Sequence, residues 1–500
     1  MNSGGLATRQ AVQLRPDPSR VITRLFVPGH YLPGPGRPAH GVVAHVLAVA
    51  DGDVTVCLAD AIERFSGRHR DLTDIFLSHA EGVTAHLDGE VELSDERRLL
   101  LGATFTHEYS VQAAALCNPS MVAHPDQGDL AEGSLRFVMA VRQIGEGHRS
   151  SIGFRTGVVD AQGQVSVDDV GQYSTPATIG VSSLGADVFR ALAEAGVHTE
   201  GELAARAYSA QSPARSPLSE RVLYPAAAAE SNGMEDARFV RFVDDDATVT
   251  YFATYTGFDG RTVAQQLLST ADFSSFAASP LVGEAAADKG MALFPRRIGG
   301  RFAALSRHDR ASISVALSDD IRHWPTASQL VCPPMAWEAI QVGNCGPPIE
   351  TEAGWLVLTH GVGPMRTYSL GAWLLDLDDP TRIIGRLCEP LLVPLPAEQD
   401  GYVPNVVYSC GALVHAGVLV VPYGMGDAAI GFASIAVADL LAALDPPAAL
   451  DPPAATTTNV APLDEEHPMP EKSPQKPAGK KPGKSLKEKR EAKREKKASR

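Results

Sequence analysis

The chain has 500 residues, 44% of them hydrophobic and 6% aromatic, with a formal net charge of −15. That length suits two or three domains, or one large domain with extensions. The last thirty residues are strongly basic, so the rest is more acidic than the total, which argues against nucleic acid as the main partner.

The cysteines (Cys57, Cys117, Cys332, Cys345, Cys388 and Cys410) are scattered and form no CxxC pair, which excludes a zinc ribbon or a thioredoxin-type motif. They read as buried free thiols in a reducing compartment. "MNSGGLATRQAVQLRPDPSR" lacks the apolar core of a signal peptide. No window approaches the roughly 18 apolar residues of a membrane helix. The expectation is a soluble, cytoplasmic protein with no membrane association.

Residues 1–20 read as a flexible N-terminus and residues 21–116 as a mostly helical region. In the latter, "DVTVCLADAIERFSGRHRDLTDIFLSHAEGV" has the apolar spacing of an amphipathic helix. Ser94 is placed to cap a second helical stretch. From 117 to 444 the style changes to short apolar runs between turns, and five units read alike. They begin near "NPSMVAHPD", "DARFVRFVDDD", "GMALFPRRIGG", "GPPIETEAGW" and "VPNVVYSCGA". Each reads as strand, tight turn, strand, third strand. Repeats of about 40–60 residues built from short strands predict an all-β fold, a five-bladed β-propeller. A β-sandwich is the alternative. Residues 183–222 read as a helical insertion, which on a rigid scaffold often shapes a cleft. Residues 445–500 form a Pro/Ala linker and a Lys-rich tail, both expected to be disordered. The tail reads first as a solubilising extension, and it is the one segment suited to nucleic acid or another acidic surface.

In a propeller the inner strand ends converge, so polar residues at equivalent places in the units should meet. Those places hold Asn118 and Arg142, Asp236 and Arg238, Lys289 and Arg307 with His308, Gln341, His360 and Tyr368, and Asn405 and Asp427. Singly, each has a plainer reading: Arg238 as a salt-bridge partner of Asp236, His360 as a satisfied core histidine. Together they place carboxylates opposite Lys, Arg and His. Such a pocket suits an acid-assisted reaction with an anionic partner, which Arg binds through planar paired donors and Lys as a point charge.

The stretches "GMEDARFVRF", "LFPRRIGGRFAALSR", "SDDIRHW", "VGNCGPPIETEAGWLVLTHGV", "YSLGAWLLDLDDP" and "VPNVVYSCG…YGMGDAAIGFA" carry a resemblance across 117–440. They resemble glycoside hydrolase family 130, the β-mannoside phosphorylases and β-mannosidases. The resemblance implies a five-bladed propeller and inverting phosphorolysis of β-linked mannosides to α-mannose 1-phosphate and a shortened acceptor. It implies Asp236 as general acid, acting through a sugar hydroxyl, with Glu235 and Arg238 fixing it. Lys289, Arg307 and His360 match phosphate positions, with Tyr368 near them. Asn118, Arg142 and Asp427 match positions around the mannose, Gln341 lies near the sugar subsite, and Glu235 and Arg238 are expected with them among the substrate contacts. Inorganic phosphate is then a co-substrate, with no cofactor and no metal; His107, His148 and His308 lack the spacing of a ligand set. Family members often form oligomers, so a homo-oligomer is a further expectation.

The chain departs from the family pattern in two places. Ala237 stands where a proline is usual after the aspartate, and Gln341 stands where a lysine is usual. Glu146, His148 and Arg149 in a long first unit are candidates for extra cleft contacts, and Glu146 for a hydrolytic role. Two readings therefore stand beside phosphorolysis: a β-mannosidase using water, and a propeller that binds glycan without catalysis.

Overall fold

The computed structural model describes residues 5–26, 38–85, 92–195 and 198–446. The basic tail lies outside the described residues, as does all but the first two residues of the linker.

Strand β1 (Thr8–Leu14) falls in the stretch expected to be flexible. Its alternation sends Val12 and Leu14 toward a core while Arg9 reaches Glu398 at 2.9 Å. Strands β2 (Val21–Leu25) and β3 (Thr106–Ser110) form a separate antiparallel ribbon. Between them lie α1 (Pro38–Ala48), α2 (Asp51–Phe65), α3 (Leu72–Thr84) and α4 (Asp95–Thr104). The single helix expected around 53–83 is thus two helices. The break spans "SGRHRD", ending on Asp71, whose φ of 53° is outside helical geometry. Ser94 caps α4 as expected, its hydroxyl accepting from the Arg97 N–H.

Five antiparallel meanders follow. The first is β4 (Ala115–Ala123), β5 (Leu135–Ile144), β6 (Ser150–Val159) and β7 (Val165–Val167). The expected insertion holds helices α5 (Ala186–Glu194) and α6 (Glu200–Ala204). It also contributes strands, with β8 (Thr175–Pro176) and β9 (Thr178–Val181) before it and β10 (Tyr208–Gln211) and β11 (Arg221–Leu223) near its end. The second meander is β12 (Gly233–Val243), β13 (Val249–Phe258), β14 (Val263–Thr270) and β15 (Ser275–Pro280), with β10 and β9 added to its outer edge. The third is β16 (Ala292–Leu293), β17 (Phe302–Ser306), β18 (Ser314–Ser318) and β19 (Ser328–Gln329). The fourth is β20 (Gln341–Asn344), β21 (Ile349–Thr351), β22 (Gly354–Val362), β23 (Tyr368–Leu375) and β24 (Ile383–Arg386). The fifth is β25 (Val407–Tyr408), β26 (Leu413–His415), β27 (Val418–Met425) and β28 (Ala429–Ala436), completed by β1 on β28.

The long strands are buried on both faces, so alternate residues feed two different cores. In β5, Phe137, Met139 and Val141 enter a core shared with Val420 and Phe432 of the fifth meander. Val138 and Ala140 enter a core shared with Met234 and Phe239 of the second. The second and third meanders share a core at Phe242 and Met291. The third and fourth share one at Leu305 and Trp355, and the fourth and fifth one at Leu358 and Leu419. Each meander therefore packs between two others, the fifth against the first. A cavity of about 550 Å³ is walled by Val122, Val240, Pro295, Ile349 and Leu413, one from each meander.

Three of the loops that enter a meander carry the same device. Glu230, Glu338 and Glu398 each end a one-turn 3-10 helix and are buried. Each carboxylate folds back onto the N–H three residues earlier, at Ala227, Met335 and Leu395. Neighbouring side chains meet the carboxylates: Tyr208 and Tyr255 at Glu230, Arg386 at Glu338, Tyr423 and Arg9 at Glu398. The Arg386–Glu338 pair, at 2.6 Å, leaves each side chain 3% exposed or less. Removing one partner of such a pair strands a buried charge. Glu338→Ala is expected to lower stability by about 3–5 kcal/mol, read from urea unfolding.

Candidate active site

The first strands of the first two meanders each contain a β-bulge, between Cys117 and Ser120 in β4 and between Glu235 and Arg238 in β12. Asn118 (φ 48°) and Asp236 (φ 54°) sit in the bulges with left-handed backbone. Asn and Asp tolerate this conformation better than other non-glycine residues. The bulges turn the two side chains toward each other, and the Asn118 Nδ2 donates to Asp236 Oδ1.

Arg142 stands opposite Cys117 in the β4–β5 ladder. Its Nη1 reaches Asp236 Oδ1 at 3.1 Å, its Nη2 reaches Glu235 Oε1 at 2.5 Å, and its Nε reaches Ser150 Oγ at 2.9 Å. Burial pulls the guanidinium pKa down, but Glu235, Asp236 and, more weakly, Asp427 outweigh it. The net shift is well upward, and the group stays charged. Asp427, buried with φ 49°, occupies the β27–β28 turn.

Arg238, expected among the substrate contacts, is committed to the framework. Its Nε donates to the Cys345 carbonyl at 2.8 Å, Nη1 to the Asp236 carbonyl at 3.0 Å, and Nη2 to the Tyr408 hydroxyl at 3.0 Å. These bonds hold Arg238 beside Asp236, whose Oδ2 lies 3.9 Å from its Nη2. Burial, with Arg238 acting against it, raises the Tyr408 pKa and keeps the hydroxyl protonated.

Tyr408 also leads to the cationic residues. Its ring meets His360 edge-on at 4.9 Å, and His360 stacks on Tyr368 at 6.0 Å. Gly343 faces His360 across the β20–β22 ladder. A Cβ there would lie 2.4 Å from Arg307 Nε and 2.6 Å from His360 Cε1, so glycine is what lets the two groups approach. Gly290 likewise lies under the Arg307 stem, where a Cβ would come 2.9 Å from its Cδ. Its carbonyl accepts from Asn344 Nδ2 at 2.8 Å, which fixes the segment carrying half-buried Lys289. Gln341 donates to the Arg310 carbonyl at 2.7 Å, an oxygen that Arg307 Nη2 also reaches at 3.4 Å. Arg307 is 9% exposed, and among the described residues no carboxylate pairs with it.

The residues singled out in the sequence thus form two groups. Asn118, Arg142, Glu235, Asp236 and Arg238 bond directly, with Asp427 in the field of Arg142. Arg307, His360, Tyr368 and Gln341 form the other, with Lys289 on the segment that Asn344 fixes at Gly290. Tyr408, which sequence reasoning missed, joins them. Glu146 is engaged elsewhere: its carboxylate accepts from the Ser110 N–H at 2.9 Å. Arg149 donates to the Tyr224 hydroxyl, and His148 pairs with Tyr402, a second residue not anticipated.

A family model described as beta-1,4-mannooligosaccharide phosphorylase, that of glycoside hydrolase family 130, matches residues 207–445. The 1,2-β-oligomannan phosphorylase of Thermoanaerobacter sp. (strain X514) is 37% identical over 215 residues, which are 42% of this chain and 71% of that protein. The chain belongs to glycoside hydrolase family 130. The β-1,2-mannobiose phosphorylase of Listeria innocua serovar 6a is 32% identical over 45% of this chain and 63% of that protein. The solved structure of a β-1,2-mannobiose phosphorylase from Listeria innocua aligns with a TM-score of 0.46 at 20% identity, covering 67% of this chain and 93% of that one.

In this family 130 chain, Arg142 bonds to both Glu235 and Asp236. Arg142→Ala leaves two buried carboxylates without that counter-charge. The expected loss is about 3–5 kcal/mol, measured by urea unfolding.

Proposed function

We propose that this chain is an inverting phosphorylase of β-linked mannosides, releasing α-mannose 1-phosphate and a shortened acceptor. The observation that carries the reading is Arg307. A buried guanidinium with no carboxylate partner is costly on its own. A phosphate bound between Arg307, His360, Lys289 and Tyr368 would supply the missing counter-charge, with paired donors from Arg and a point charge from Lys. The phosphorylase names of the relatives point the same way.

In this reading Asn118, Arg142 and Asp427 hold the mannose. A phosphate oxygen attacks the anomeric carbon from the face opposite the leaving oxygen. The new C–O bond to phosphorus forms as the glycosidic C–O bond breaks, with its electron pair going to the leaving oxygen. Asp236 supplies the proton that oxygen takes, relayed by a sugar hydroxyl. It is left as a carboxylate between Asn118 and Arg142, whose donors stabilise that charge. Inverting hydrolysis needs instead a second carboxylate to activate water. The bonds of Glu235 to Arg142 at 2.5 Å and of Glu146 to the Ser110 N–H support the phosphate route over that one.

We read the five meanders as the blades of a five-bladed propeller. Two observations support this: the cores run from meander to meander and return from the fifth to the first, and every meander contributes to the walls of one cavity. Strand β1 would then close the fifth blade.

The test is incubation with β-1,2- and β-1,4-mannobiose, each with and without inorganic phosphate, resolving mannose from mannose 1-phosphate. Phosphate-dependent mannose 1-phosphate is expected; phosphate-independent free mannose would overturn the reading in favour of a hydrolase. Asp236→Asn keeps a residue that accepts left-handed backbone and should cut kcat by about 10²–10⁴-fold. Arg307→Ala should raise the KM for phosphate at least tenfold and leave that for mannobiose nearly unchanged.

A further inference from the structure

Tyr402 and His148 come from opposite ends of the propeller sequence, yet they form a pair at the mannose side of the site. The Tyr402 hydroxyl lies 2.7 Å from His148 Nδ1, with the rings 5.6 Å apart. We propose that Tyr402 is a sugar-contacting residue, the wall of the pocket that Asn118, Arg142 and Asp427 line, and that His148 is its positioning residue. This inference rests on the mannoside reading above.

Three features place the tyrosine there. First, its ring packs against Ala115, Cys117 and Ile144; Cys117 precedes Asn118 and pairs with Arg142 across the ladder. Second, its loop is locked to the turn that presents Asp427. The Val403 N–H donates to the Gly426 carbonyl at 2.8 Å, and a Cβ on Gly401 would lie 2.3 Å from that same oxygen. Third, the phenol feels the charges of Arg142, Asp427 and Glu235, though burial is the larger influence and raises its pKa. An aromatic ring beside a cluster of polar groups offers a stacking surface for the C–H face of a pyranose, while the polar groups hold its hydroxyls.

His148 is itself held in place. It sits with φ 62° in the hairpin between β5 and β6. That hairpin is tied to the β2–β3 ribbon by Glu146, whose carboxylate accepts from the Ser110 N–H and whose carbonyl accepts from the Tyr109 hydroxyl at 2.7 Å. Gly145 permits the approach, since a Cβ there would lie 2.5 Å from the Ser110 carbonyl oxygen. On the other side Arg149 donates to Tyr224 at 2.8 Å. The ribbon and the hairpin both precede the segment matched by the family model, which begins at residue 207. The region before the propeller is therefore joined to the hairpin that carries His148.

The experiment measures mannose binding to the full chain by titration calorimetry, which needs no turnover, beside mannobiose phosphorolysis kinetics. Tyr402→Ala is expected to weaken mannose binding at least tenfold and to raise the mannobiose KM by a similar factor, with the phosphate KM unchanged. His148→Gly keeps the left-handed backbone and loses the bond to Tyr402; a three- to tenfold rise in mannobiose KM is expected. His148→Asn keeps both the backbone preference and an acceptor near the Nδ1 position, and should restore binding to within twofold of wild type. Wild-type mannose affinity in Tyr402→Ala, no mannose binding by the wild type, or His148→Asn no better than His148→Gly would each overturn the proposal. Mannose binding by the wild type without phosphorolysis would sink the phosphorylase reading alone.

Discussion

The buried bonding of Arg142 to Glu235 and Asp236 is the constraint around which the site is organised. A buried guanidinium and the two carboxyl groups it bonds are costly to take out of water unless they meet with good geometry. That geometry requires β5 of one meander and β12 of the next to align at their ends. One parallel backbone pair joins the sheets of these meanders there, Gly233 with Ser150, and Ser150 is also the third partner of Arg142. Gly233 is needed in its place, since a Cβ would come within 3.0 Å of Ser150. Sheet joining and charge pairing are thus one event. The bulges add strained backbone at Asn118 and Asp236, which the surrounding ladder enforces and which aims both side chains at one point.

The same logic recurs away from the site in the three buried glutamates that end their 3-10 turns. A loop entering a sheet carries backbone N–H groups with no ladder partner. A carboxylate folded back over such a turn satisfies one of them and then requires a donor from a neighbouring strand. Arg386 and Tyr423 supply it from the fourth and fifth meanders. Glu230 receives it from Tyr255 of the second meander and Tyr208 of the insertion. The insertion is in this way tied to the loop that leads into Asp236, and is more than an outer decoration.

The repeat pattern and the polar residues at strand ends were legible because both follow from local spacing. Asn118, Asp236, Arg307 and His360 stand out as polar residues in apolar runs. What escaped depends on distant partners. In β1, Gln10 bonds to Ser434, 424 residues away, and nothing local distinguishes "TRQAVQL" from a mobile end. Tyr408 in "VVYSCG" reads as one more apolar strand residue, and its role comes from Arg238 in another meander. Nothing local marks the glutamates of "AAE", "AWE" and "PAE", because their burial is created by the sheets around them. Arg238 stands out as a charge in an apolar run, but its bonds to the Cys345 and Asp236 carbonyls and to the Tyr408 hydroxyl come only with the fold.

The first strands are also polarised along their length. β4 and β12 carry Asn118, Glu235, Asp236 and Arg238 in their first halves, and Met121, Val122, Phe239 and Val240 in their second. The distance from Asp236 to Val240 is about 13 Å at roughly 3.3 Å per residue. The cluster around Asp236 is therefore at one end, and the cavity, walled by Met121, Val122, Phe239 and Val240 and edged by Arg241, Arg296 and Glu350, lies toward the other. A low-dielectric body on one side of a charged cluster strengthens every interaction within that cluster, and fixed dipoles do not need to reorganise during reaction. Chemistry is then set by strands buried on both faces, which cannot shift without repacking two cores. Selectivity falls to the loops above them, and here those loops are not independent. The hairpin at 145–149 is held by the N-terminal ribbon and the loop at 399–405 by Gly426, and they touch at His148 and Tyr402. If Tyr402 walls the sugar pocket as proposed, a change in the N-terminal region alters which sugar fits while leaving the Arg142 cluster intact.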